Sequence, residues 1–129
     1  MADHERSITV AAAPDAAFRL LADPGNLPRY VATMVEARPE GHDELHVAAE
    51  VQGRHEEGEA RFQVDEAARR LSWGGRDESG YGGWLQVAGS NGGAAVTVHI
   101  HSERSDEEGE ITRALDETMA NIRRLVETG

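Results

Sequence analysis

The reactive side chains of this 129-residue chain are few: six histidines, two tyrosines, 24 carboxylates and 13 basic groups. There is no cysteine, and every basic side chain is arginine. Thiol nucleophiles, thiolate ligands, disulfides, Schiff bases and a phosphate-loop lysine are therefore excluded. What is left is imidazole, phenol and carboxylate chemistry. Counting by twos along ELHVAAEVQGRH from Leu45 through Val51 and Gly53 puts His55 on the apolar face of a strand. An imidazole there can act as general acid or base, or orient a ligand. A bulge at Gly53, or a place in the adjoining HEEG turn, would instead leave it in solvent. Tyr30 and Tyr81 can each donate a hydroxyl into a cavity, or bury a ring with the hydroxyl at the rim. His99 and His101 have the i, i+2 spacing that lets one strand face chelate a metal. Their parity is opposite to that of Val98 and Ile100, so they should face outward, and no third ligand is evident nearby. Neither metal nor cofactor is expected. Asp65–Glu66 and Glu56–Glu57 are adjacent on strands and point to opposite faces, so neither pair converges on a proton.

Charge narrows the partners. The formal net charge is −11, which disfavours nucleic acid and anionic membrane surfaces and suits a neutral or cationic partner. No apolar run approaches the roughly 18 residues of a membrane span, so no membrane insertion is expected. The opening MADHERS is charged and lacks the apolar segment of a signal peptide, which points to the cytoplasm.

These groups must be positioned by a sheet and its cover. RSITVAAA reads as a half-buried strand with Ile8 and Val10 inward. APDAAFRLLADPGNLPRYV then holds two helix starts, with Pro14 and Pro24 at first helical positions and Asp23 as a cap. Pro24, Gly25 and Pro28 keep both helices short, so tertiary contacts through Phe18, Leu21, Leu27 and Tyr30 must hold them. Six further strands follow. MVEARPEG carries Val35 and Ala37 on one face. ELHVAAEVQGRH runs to a turn at EEG, and EARFQVDE carries Ala60, Phe62 and Val64 inward. RRLSW, GWLQVAG and AAVTVHIHSER complete the set, the last two joined by an SNGG hairpin. Short connections imply antiparallel pairing. SDEEGEITRALDETMANIRRLVE is one amphipathic helix, with Ile111, Leu115, Met119, Ile122 and Val126 on a stripe and a capping box at Ser105 and Glu108. No linker or repeat divides the chain, so a single domain over 1–129 is expected.

Strand, two short helices, six strands and a long helix, in that order, resemble the helix-grip fold of the START-like (SRPBCC) superfamily, which includes pollen allergens and polyketide cyclase/dehydrase proteins. The resemblance rests on ITVAAAPDAAF, DPGNLPRYV, FQVDEAARRLSW, the GWLQV…VTVHI pair and the terminal helix. It implies an α+β fold: a curved seven-stranded antiparallel sheet, two short helices after strand 1, and a long C-terminal helix across the concave face. It also implies a cavity between that helix and the sheet, where members bind hydrophobic ligands and a few do chemistry.

Carried onto this chain, the cavity would be walled by Leu45, Val47, Val51, Phe62, Trp73, Leu85, Val98, Met119 and Ile122. Tyr30, His55 and Tyr81 would supply its polar contacts. Small residues on the inner face, Ala49, Ala60 and several glycines, leave room for a ligand, or else serve the bending of the sheet. The first expectation is a carrier or sensor of a small, hydrophobic, neutral molecule. The second is a polyketide cyclase/dehydrase-type enzyme, with His55 as acid/base and Tyr30 or Tyr81 as donor. That reading implies an arginine in the cavity, yet Arg54 and Arg61 have outward parity. The third is an accessory module for a protein partner whose nature the sequence leaves open.

Overall fold

The computed structural model describes residues 2–32, 34–41, 44–51, 54–75, 82–102 and 109–128. Strand β1 (Ala2–Val10) leads into α1 (Pro14–Leu21), a 3-10 turn at Pro24–Asn26 and α2 (Leu27–Tyr30). Strands β2 (Met34–Gly41), β3 (Glu44–Val51), β4 (Arg54–Asp65), β5 (Arg70–Gly75), β6 (Gly82–Ser90) and β7 (Gly93–Ser102) follow, and α3 (Glu110–Thr128) closes the order. The strands form one seven-stranded sheet in the order β1-β7-β6-β5-β4-β3-β2, with every neighbour antiparallel. Only the β1–β7 pairing joins strands distant in sequence. The two short helices therefore sit where the chain crosses from one edge of the sheet to the other. This is the helix-grip arrangement expected above.

Local chemistry explains the elements. Pro14 opens α1, where its missing N–H costs nothing, and Asp15 lies in the first turn. Asp23 caps the 3-10 turn by accepting a 3.0 Å hydrogen bond from the Gly25 amide. Ser90 pairs with Gly93 across a two-residue turn in which Gly92 takes φ 75°, a conformation glycine adopts without steric cost. The proposed capping box at Ser105 and Glu108 lies outside the described residues.

One sheet face is the core. Val10, Leu71, Leu85, Val87, Ala94, Val96 and Val98 are buried against Phe18 and Leu21 of α1 and Leu115, Met119 and Ile122 of α3. Leu27 and Tyr30 of α2 join the same cluster.

Three expectations are corrected. β1 begins at Ala2, five residues before the alternation Ser7–Val10 makes it evident. Glu56–Gly58 lie within β4 and pair with Ala49, Ala48 and Val47 of β3, so EEG is not the turn between these strands. A register shift between Met34 and Glu36 turns Val35 out of the inner face, where it is half exposed while Met34 and Ala37 pack on the core.

Candidate ligand-binding site

Directly paired residues on neighbouring strands share a face, so the register defines the floor of the site. One inner row crosses five strands: His4 pairs with Ile100, Ile100 with Gly83, Gly83 with Trp73 and Trp73 with Phe62. The next inner row holds Ala60 and Leu45. Beyond it lie Val47 and Ala37, which pair across β2 and β3.

This floor is divided. Val10, Leu71, Leu85, Val87, Ala94 and Val96 are at most 4% exposed, sealed beneath α1 and α3. Met34, Ala37, Val47, Trp73 and Ile100 occupy the same face and pack on the same core, yet stay partly exposed, and Ala60 is likewise only half buried. The roof over the sealed part is the apolar stripe of α3, with Leu115, Met119, Ile122 and Val126 all buried. Partly exposed apolar side chains thus remain on β2 to β5 and at Ile100 of β7, with Leu45 and Phe62 buried among them.

Trp73 shapes that surface. A Cβ built on Gly83 would come 2.7 Å from Cζ2 of Trp73 and 2.5 Å from the carbonyl oxygen of His99. The indole therefore occupies the space a side chain at position 83 would fill. At the β1 end of the same row stands His4, half buried. Its Nε2 has no exposed surface and no hydrogen-bond partner. An unsatisfied polar atom in an apolar interior is uncommon enough to need a reason. Sequence reading missed His4 because it opened the strand too late. Counting back by twos from Val10 and Ile8 reaches it.

A depression of about 270 Å³ lies between β1 and α3, lined by Arg6, Ser7, Ile8, Asp116, Met119, Ala120 and Arg123. It is an open seam. Arg6 Nε donates to Asp116 at 2.9 Å at one end, and Arg123 donates to the carbonyl of Thr9 at 3.1 Å at the other.

The expected site residues sort as follows. Leu45, Phe62, Leu85, Val98, Met119 and Ile122 are buried together in one cluster, and Val47 and Trp73 pack against it from the accessible side. Tyr30 is buried, and its hydroxyl donates 2.7 Å to the carbonyl of Leu21. Burial pushes that phenol well above its ordinary range. The expectation of a hydroxyl free for a ligand is corrected: it closes the angle between α1 and α2. His55 is also corrected. The β3–β4 register places it opposite Glu50, on the outer face, where it is exposed and its Nε2 lies 2.9 Å from Glu57. Tyr81 and the side chain of Val51 lie outside the described residues.

The outer face carries its own ionic order. Trp84 stacks on His99 with ring centres 5.4 Å apart and planes 5° from parallel, and the Arg70 guanidinium sits 4.2 Å over Trp84. His101 contacts Asp3 at 2.7 Å and His99 contacts Glu5 at 3.2 Å. The imidazoles of His101 and His99 hold the Asp3 carboxyl below its ordinary range, the His101 hydrogen bond foremost. Across β2, β3 and β4, His46 has Nε2 2.8 Å from Glu57, and Nδ1 3.5 Å from Glu59 and 3.8 Å from Glu40. Two overlapping sets, Glu36–His46–Glu57 and Glu40–His46–Glu59, bring their donor atoms within 4.8 Å and could hold a metal ion. They lie on the face opposite the apolar floor and contribute nothing to it.

The sequence matches the polyketide cyclase/dehydrase and lipid transport family over residues 1–127. No curated relative matches it. Among solved structures, a Deinococcus radiodurans protein superposes with a TM-score of 0.78 at 15% identity, covering 100% of this chain and 99% of that one. A Thermus thermophilus protein gives 0.75 at 14% identity, with 97% of each chain covered. The di-domain ARO/CYC StfQ from the steffimycin biosynthetic pathway gives 0.76 at 20% identity, covering 96% of this chain and 45% of its own. At these identities the likeness concerns the fold.

Proposed function

The chain belongs to the polyketide cyclase/dehydrase and lipid transport family, and we propose that it binds a small, hydrophobic, neutral molecule between the inner sheet face and α3, as a carrier or sensor. The observation that carries this reading is the divided floor. Met34, Ala37, Val47, Ala60, Trp73 and Ile100 face the core side and remain partly accessible, whereas Val10, Leu71, Leu85, Val87, Ala94 and Val96 on the same face are sealed. An apolar, accessible, inward surface is what a ligand covers, at about 25 cal/mol per Å² before ordering costs. A net charge of −11 favours a neutral ligand over an anionic one.

The cyclase-type enzyme is the second reading, supported by the family and by the likeness to an ARO/CYC structure. It is the weaker of the two because, among the described residues, its acid/base and donor candidates are otherwise engaged. Tyr30 is bonded to Leu21 and His55 faces outward. A cytoplasmic site of action belongs to the same proposal. Among the described residues, no helix is long and apolar enough to cross a membrane.

Native mass spectrometry of freshly purified protein, compared with its denatured mass, tests the binding reading. Retention of a small organic molecule is the expected result, and its chemistry decides between carrier and cyclase. A bare mass, with no thermal shift across a panel of apolar and polyphenolic compounds, would overturn both readings and leave the accessory role.

A further inference from the structure

Among the described residues, two sets of three donors stand within 4.8 Å of one another, and both use His46. They lie on the outer sheet face, so nothing about them depends on the binding reading above. One set is already engaged. Glu57 has one oxygen 2.8 Å from Nε2 of His46 and the other 2.9 Å from Nε2 of His55. Glu36 lies 3.4 Å from the Arg38 guanidinium. The other set is held more loosely. Nδ1 of His46 faces a Glu59 oxygen at 3.5 Å and a Glu40 oxygen at 3.8 Å, both beyond the length of a good hydrogen bond.

The two ring nitrogens therefore have different tasks. A carboxylate only accepts, so the contact with Glu57 places a proton on Nε2. The neutral imidazole then turns the Nδ1 lone pair toward two carboxylates, and three electron-rich atoms converge. Their spacing suits a metal. Zinc holds nitrogen and oxygen at about 2.0–2.2 Å, which sets tetrahedral donors about 3.4 Å apart. A zinc-ligating imidazole is commonly oriented by a carboxylate on its far nitrogen, the place Glu57 takes here. The fold delivers one donor from each of three strands. Glu59 of β4 is directly opposite His46 of β3. Glu40 comes from edge strand β2, where the register shifts between Pro39 and Gly41 and re-aims the residue between them. Glu59 holds the Glu40 carboxyl above its ordinary range, a like-charge contact that a divalent cation relieves. Arg38, opposite His46 on β2, opposes a cation here, and Glu36 beside it offsets that charge.

We propose that Glu40, Nδ1 of His46 and Glu59 form a zinc site, with water as the fourth ligand and Glu57 as the positioning residue that orients the imidazole. The ion ties edge strand β2 to β3 and β4 across the outer face. Calcium and magnesium take all-oxygen sets and do not suit an imidazole ligand. His99 and His101, whose spacing drew attention in the sequence, are less suited. His99 has Nδ1 against Glu5 and Nε2 against Asp3. The spacing of His46 gives no such signal, because its co-ligands come from the neighbouring strands.

The test is calorimetric titration of the untagged, chelator-stripped full chain with zinc chloride at about pH 7.5, with magnesium chloride for comparison. One equivalent of zinc should bind and magnesium should not. Zinc should also raise the thermal midpoint, because only the folded sheet assembles the three donors. His46→Gln and Glu59→Gln, with folding checked by circular dichroism, should each lose the zinc isotherm, while His101→Gln keeps it. Glu57→Ala should weaken zinc about tenfold. Ring-nitrogen NMR of histidine-labelled protein should show zinc on Nδ1 of His46 and a proton kept on Nε2, and Glu57→Ala should move the Nε2 resonance with the metal still on Nδ1. Zinc on Nε2 would put the ion with Glu36 and Glu57 and overturn this ligand set. Zinc kept by His46→Gln and lost by His101→Gln would put it on β1 and β7 and overturn the site. A wild type that binds no zinc would overturn it too, and would make His46 a protonated imidazole bridging its carboxylates.

Discussion

The Tyr30 hydroxyl donates to the carbonyl of Leu21 at 2.7 Å, tying the last residue of α2 to the last residue of α1. A four-residue helix has no stability of its own in water, and the end of α1 leaves carbonyls without helical partners. One buried bond addresses both needs. Asn121 of α3 adds to the clamp by donating to the Tyr30 carbonyl at 3.3 Å, and Thr118 accepts from the Ala32 amide at 3.0 Å.

The consequence is a division of labour that a single variant can expose. Tyr30→Phe keeps the ring and leaves the Leu21 carbonyl buried and unsatisfied, at a cost of about 1–3 kcal/mol. Urea denaturation should show the loss as a lower midpoint at an unchanged slope. Ligand affinity, measured under conditions where the variant is folded, should stay within about twofold, since the hydroxyl faces α1 and not the floor. Unchanged stability with lost binding would instead restore Tyr30 as a ligand contact.

Gly83 is the second sensitive point. Its missing side chain accommodates the Trp73 indole on one side and the backbone of β7 on the other, at 2.7 Å and 2.5 Å from where a Cβ would stand. The indole can rotate away, but the His99 carbonyl belongs to a central strand and cannot. Gly83→Ala should therefore cost about 1–3 kcal/mol in overpacking. It should also change the near-ultraviolet circular dichroism as Trp73 leaves its seat, and weaken binding of aromatic compounds. Gly58, where a Cβ would meet nothing within 4 Å, is the control whose alanine variant should leave the tryptophan signal unmoved.

How much of this was legible in the sequence depends on what set each feature. Order, strand count and the apolar stripe of α3 follow from local periodicity, so reading them needed no tertiary knowledge. Phe18, Leu21, Leu27 and Tyr30 were legible for the same reason: a short helix must bury its few large side chains. Direction along β4 was not. Parity carries a side chain's facing only within one strand, and the pairing of Val51 with Arg54 begins a new strand with a new count, which moved His55 from the inner face to the outer. His4 escaped notice from the opposite cause. Asp3, Glu5, Arg6 and Ser7 give β1 no apolar alternation, and pairing with β7 is what extends the strand back to Ala2. The clamp role of the Tyr30 hydroxyl was illegible because Leu21 offers only a backbone oxygen, which no residue type advertises.

The outer face predicts a pH dependence with two signs. His46 is held above its ordinary value near 6.5, chiefly by its hydrogen bond to Glu57. A raised folded pKa contributes stability that is complete below the unfolded value and is lost as pH rises through the folded one. Glu57 is held below its ordinary 4.5, by His46 first and His55 second. A lowered carboxyl contributes stability that is complete above the unfolded value and is lost as pH falls through the folded one. Both contributions are therefore complete between the ordinary values of 4.5 and 6.5, and each fades beyond its own limit. His46→Gln should lower the thermal midpoint most near pH 6, with the difference from wild type shrinking toward pH 9 and again toward strong acid. Because both side chains meet solvent, raised salt should shrink the difference at pH 6 as well. A midpoint difference that stays constant from pH 5 to pH 9 would mean that His46 acts through packing alone, and that the ionic contact contributes nothing to folding.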